Sequence, residues 1–174
     1  SSTVSVWLRL NPDRDLEPGY CDPVQIIGDD TNKGFIFLEF SKDETPRYFR
    51  YAIRPLVNIW NPNNLAWGDI PAEKRPMVQV DRPPFSRDQW THVVFTLENV
   101  NDKDKPRNGR LYLNGKLQGT IENWDLTFGW NPAWPPNRNH RNRIGRTVRS
   151  GPEAPPPSDA ARQSRFLRCL GLHR

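Results

Sequence analysis

Long apolar runs, cysteine and methionine are what this sequence has least of. No stretch of about 18 apolar residues occurs, so no membrane-spanning helix is expected. The two cysteines, Cys21 and Cys169, show no Cys-x-x-Cys spacing, which excludes a zinc or dithiol redox motif. A bridge between them would have to close a very long loop, and both are expected to be free thiols. Alanine and leucine are sparse while 18 prolines are spread along the chain, a composition that excludes a helical bundle and favours strands joined by proline-rich connections. The chain opens directly into a strand pattern with no leader ahead of it, and so reads as a segment of a larger polypeptide.

Lysine is absent from residues 135–174, where nine arginines face only Glu153 and Asp159, giving a local charge of +7. The remaining 134 residues carry 16 basic and 18 acidic side chains, or −2, within an overall charge of +5. The body of the chain is therefore slightly acidic. The basic tail has one aromatic, Phe166, and no evident fold, so it offers phosphates only non-specific contact, and no specific nucleic-acid partner is expected.

What is present is a succession of strands. Residues 3–10 alternate, with Val4, Val6, Leu8 and Leu10 on one face and Ser5, Trp7 and Arg9 on the other, before Asn11-Pro12-Asp13 ends the run. A short apolar strand over 24–27 follows a proline- and glycine-containing loop. Residues 34–40 place Phe35, Phe37 and Glu39 opposite Ile36, Leu38 and Phe40. Residues 48–53 alternate Tyr48, Arg50 and Ala52 with Phe49, Tyr51 and Ile53, and the two segments read as a hairpin.

Residues 55–89 hold six prolines and form an irregular excursion of a length that compact domains rarely carry without function. Trp60 and Trp67 within it argue for order. The nine residues Trp90 to Glu98 then make the strongest strand, expected to lie centrally. Residues 110–113 and 117–121 flank Asn114-Gly115, whose residues accept the positive φ of a two-residue hairpin. Further strands are expected over 124–130 and from Arg143.

The stretch Trp90-Thr-His-Val-Val-Phe-Thr, followed by Gly-Arg-Leu-Tyr-Leu-Asn-Gly-Lys-Leu-Gln-Gly over 109–119, resembles the signature of laminin G-like, concanavalin A-like jelly-roll domains. The opening Thr-Val-Ser-Val-Trp-Leu-Arg-Leu (3–10) and Arg143-Ile144-Gly145 resemble the family's first and late strands, so the likeness runs in order from about residue 3 to 145. It implies an all-β antiparallel β-sandwich of jelly-roll type over residues 1–146. Thr147 onward departs from the family. Residues 147–174 read as an Arg/Pro-rich, disordered tail standing where the last strand would be, either the product of a truncation or shifted frame or a genuine flexible linker.

Enzymes of this architecture need two carboxylates facing each other across the bond they cleave. No E-x-D-x-E run occurs, and Glu122 and Asp125 are spaced onto opposite faces of a strand, so no enzyme activity is expected. His92 occupies the family's Trp-x-His position and is expected to pack, as are the strand residues Trp7 and Trp90. Trp124, Trp130 and Trp134 are expected to fill clusters beneath loops.

Trp60 and Trp67 stand apart because Asn61, Asn63 and Asn64 accompany them. Aromatic faces that stack on sugars, beside amides that bond hydroxyls, make up a glycan site, although the same tryptophans could equally fill a satellite cluster. The resemblance also admits calcium, for which Asp29, Asp30 and Asn32 supply hard oxygens in one loop beside Gly28. The expected function is a non-catalytic, extracytoplasmic binding module for a carbohydrate or protein ligand, as an accessory domain of a secreted or surface protein. The alternatives are a spacer domain with no small ligand and, behind it, a glycoside hydrolase.

Overall fold

A computed structural model describes residues 1–130. Within them eight strands form two antiparallel four-stranded sheets. The first has the order β1 (Ser2–Leu8), β6 (Thr91–Glu98), β7 (Asn108–Leu113), β8 (Lys116–Ile121), and the second β2 (Cys21–Ile27), β3 (Phe35–Phe40), β4 (Phe49–Arg54), β5 (Met77–Val80). The all-β sandwich expected from the strand pattern is the fold of the molecule.

Period-2 alternation decides what lies between the sheets. Ile36, Leu38 and Phe40 of β3 and Phe49, Tyr51 and Ile53 of β4 meet Val93, Phe95 and Leu97 of β6 and Leu111 and Leu113 of β7 in one core. The β3–β4 hairpin pairs Phe40 with Phe49 and Phe35 with Arg54, as the sequence predicts. Strand β6 is internal to its sheet, flanked by β1 and β7. Asn114 and Gly115 take φ values of +49° and +77°, closing β7 onto β8.

Several expectations need correction. Trp7 and Trp90 are 59% and 57% exposed rather than packed. Trp7 sits on the outward parity of β1 and stacks face to face on His92 of β6, at 4.3 Å between ring centres. Trp90 falls just ahead of β6 instead of opening it. The loop after β1 contains a short helix, α1 (Pro12–Asp15), capped by Asn11. Cys21 is buried and disulfide-bonded, not a free thiol.

Residues 122–130 form no strand. Their backbone bonds go to loops instead: Leu56 N–H donates to Thr127 O at 2.9 Å and Gly129 N–H to Lys33 O at 2.8 Å. Leu126, Phe128 and Trp130 nevertheless enter the core, with Trp130 Nε1 donating to Gly34 O at 2.7 Å. The expected strand at Arg143, Trp134, Cys169 and the 147–174 tail lie outside the described residues.

Candidate functional site

The excursion after β4 folds back over the outer face of the second sheet. It contains a strand not anticipated from the sequence, β5, whose pairing with β4 runs from Phe49–Val80 to Ala52–Met77. It also contains a single helical turn, α2 (Val57–Trp60), and two 3-10 turns over Trp67–Asp69 and Ala72–Lys74. Asn61 ties the crossing together: its Nδ2 donates to Leu65 O at 3.0 Å, and its Oδ1 accepts from Leu65 N at 2.9 Å. Arg75 pins the far end by donating from Nε to Ile70 O at 2.9 Å and from Nη2 to Trp67 O at 3.1 Å.

Beneath this cover the outward-facing residues of the sheet line up by register. One row holds Glu39, Arg50 and Gln79, the next Phe37, Ala52 and Met77, and the third Phe35 and Arg54. An irregularity in β2 between Cys21 and Val24 turns Asp22 to the same side, beside Glu39. Outward positions of a sandwich normally meet water, yet Glu39 is 7% exposed and Arg50 only 3%. Over Arg50 lie Trp67 of the excursion and the rings of Tyr20 and Tyr48.

Trp60 and Trp67 form the roof, with ring centres 6.3 Å apart and planes tilted by 54°. The Arg54 guanidinium lies between them, its Cζ 4.7 Å from the Trp60 centre and 4.5 Å from that of Trp67. Phe35 and Phe37 underlie it at 5.1 Å each. Arg50 and Arg75 approach Trp67 as well, at 4.9 and 4.7 Å, so three cations surround one indole. Tyr20 and Tyr48 close the side, 5.2 and 5.7 Å from Arg50.

The polar row is a linked system. Arg50 pairs with Glu39, the Asp22 carboxyl neighbours that of Glu39, and Gln25 donates to Asp22. Burial, with the Asp22 charge alongside, pushes Glu39 up to about 8, so it is protonated at neutral pH. Burial also raises Asp22. Burial and the neighbouring Arg50 push Arg54 down to about 10, which leaves it a cation at pH 7.

The structure thus brings together Trp60 and Trp67 but divides the accompanying asparagines. Asn61 is 8% exposed and spends its amide on the loop. Asn63 and Asn64 are exposed near it, with Asn64 at φ +51°. Asp29, Asp30 and Asn32 share one loop, where Asp30 Oδ1 accepts from Asn32 N at 2.9 Å and Asp29 meets Lys33 Nζ at 3.0 Å. Among the described residues no group of three or more His, Cys, Asp or Glu converges as a metal cage.

Asp22, Glu39, Arg50 and Arg54 were not singled out from the sequence. A signal for three of them exists. In β3 and β4 the inward parity is wholly apolar, so charges at 39, 50 and 54 on the outward parity of internal strands must either meet water or find cover. Asp22 had no such signal, because its orientation depends on the irregularity in β2.

A laminin G-type family model, described as the concanavalin A-like lectin/glucanases superfamily, matches residues 1–155. Searches of curated proteins and of solved structures returned no match.

Proposed function

The chain belongs to the concanavalin A-like lectin/glucanases superfamily, and from that footing we propose that it is a non-catalytic carbohydrate-binding module whose ligand seats at Trp60 and Trp67. The observation that carries this reading is the roof itself. Two half-buried indoles, seven positions apart in an irregular excursion, converge to 6.3 Å over a sheet face that supplies buried polar groups. Aromatic walls with a few fixed polar groups are the usual make-up of a saccharide site.

The polar row supports binding over hydrolysis. Glycosidases hold their two carboxyl groups about 5–5.5 Å or 6.5–9.5 Å apart so that sugar or water fits between them. Glu39 instead lies buried against Arg50 with the Asp22 carboxyl beside it, unlike a pair of carboxyl groups open to a substrate. A disulfide-bonded Cys21 fits an oxidising, extracytoplasmic setting.

Calcium enters this reading only at Asp29, Asp30 and Asn32. Two carboxylates and one amide fall short of the 6–8 oxygens the ion takes, so water would complete its shell and the site would be weak.

The test is isothermal titration of the full chain with a panel of neutral and acidic oligosaccharides, repeated with Trp60→Ala. Binding that falls at least about tenfold in the folded variant is expected. A folded chain that binds no saccharide in the panel would make the domain a spacer instead.

A further inference from the structure

We propose that the saccharide taken at Trp60 and Trp67 is an acidic one, bearing a carboxylate or a sulfate, and that Arg54 is the residue that pairs with the acid group; this rests on the carbohydrate reading above. The three arginines around Trp67 are not equivalent. Arg50 lies against the Glu39 carboxyl and is drawn to the neighbouring Asp22. Arg75 spends its donors on the carbonyls of Ile70, Trp67 and Gly68. Arg54 has neither kind of partner among the described residues: no carboxylate lies within ion-pair distance, no acceptor takes its hydrogens, and its Nε is buried unpaired.

What Arg54 does have is π faces. Trp60 and Trp67 stack against the guanidinium and stabilise its charge, but an indole ring offers no lone pair to donors that lie in the guanidinium plane. Stacking therefore leaves the edge of the fork unfilled. A planar carboxylate, or two oxygens of a sulfate, matches that edge with two parallel hydrogen bonds. The side chain as a whole keeps partial exposure, although its Nε is buried.

Local charge points the same way. Arg50 has the Asp22 and Glu39 carboxyl groups as neighbours. Arg54 and Arg75 remain as excess cations around Trp67. An anion would offset this excess, whereas the hydroxyls of a neutral sugar would accept from the guanidinium without answering its charge.

The experiment titrates the full chain with trigalacturonate, its methyl ester, a sulfated trisaccharide and a neutral trisaccharide. The free acid or the sulfated sugar is expected to bind roughly tenfold tighter than the ester and the neutral sugar, the gain of one charge-assisted pair. The carboxylate and sulfate arms separate the two anion sources. Arg54→Gln should erase the preference, and Arg54→Lys should keep part of it, since the charge stays but the fork is lost.

Should Arg54→Gln fail to fold, the acid-to-ester ratio on the unaltered chain still decides the matter. Equal affinity for acidic and neutral sugars would overturn the role of Arg54 and leave the carbohydrate reading standing. No binding of any saccharide would overturn both.

Discussion

Tyr51 of β4 donates its phenolic hydrogen to Thr96 O of β6 at 2.9 Å, a polar bond that crosses from one sheet to the other inside an apolar core. Room for it comes from Gly109 of β7. A methyl group there would lie 2.8 Å from the Tyr51 hydroxyl and 2.5 Å from Ile53 Cδ1. Tyr51→Phe is expected to cost about 1–2 kcal/mol in urea denaturation, and Gly109→Ala about 1–3 kcal/mol. Because the added methyl presses on the very hydroxyl that Tyr51→Phe removes, the double variant should lose less than the sum. Strict additivity would show that the two residues do not meet.

Stability should fall as pH rises across the Glu39 window. The carboxyl titrates at about 8 in the fold, against 4.5 when free. Between these values the folded chain holds more protons than the unfolded one, so the stability conferred by neutral Glu39 is complete below 4.5 and gone above 8. Glu39→Gln, which cannot ionise, should gain on the unaltered chain as pH climbs from 5 to 8.5. Parallel unfolding profiles for the two chains would refute a buried, protonated Glu39.

The two tryptophans should differ in their effect on folding. Trp67 contacts Arg50, Arg54 and Arg75, whereas Trp60 contacts only Arg54 of these three. Trp67→Ala is therefore expected to cost about 2–3 kcal/mol and Trp60→Ala distinctly less, measured by denaturant midpoint. An equal cost would mean that the cations around Trp67 contribute nothing to its anchoring.

Any calcium bound at Asp29, Asp30 and Asn32 competes with Lys33, which holds Asp29 at 3.0 Å. Affinity should be about millimolar, and Lys33→Gln should tighten it, read as a larger calcium-induced rise in melting temperature. A melting temperature indifferent to calcium and chelator in both chains would remove this loop as an ion site.

Much of this fold was legible because the sequence repeats one physical instruction. Alternation in 35–40, 49–54 and 91–98 names the core side of three strands, and Asn114-Gly115 names a hairpin. β5 was hidden because its four residues follow a 3-10 turn inside a proline-rich stretch. Trp7 and Trp90 misled because size suggests burial, while the parity of β1 directs Trp7 to solvent, where His92 covers one face. At the site, proximity in sequence revealed Trp60 and Trp67. The polar row beneath them joins residues from four strands; parity marks Glu39 and Arg50, but their meeting with Asp22 could not be read from spacing. Asn61 shows the opposite error, since its amide is spent on Leu65 before any ligand arrives.

The crossing of the excursion over the second sheet ties recognition to folding. Much of the floor and the roof, from Phe35 to Arg75, comes from one continuous stretch, and Trp67, which faces a ligand, also covers Arg50. Ligand preference therefore cannot drift one substitution at a time without uncovering charge. In descendants of this chain, a new specificity should arrive as a replacement of the whole 55–76 crossing, carrying its own lid, while the opposite sheet passes through the exchange unaltered.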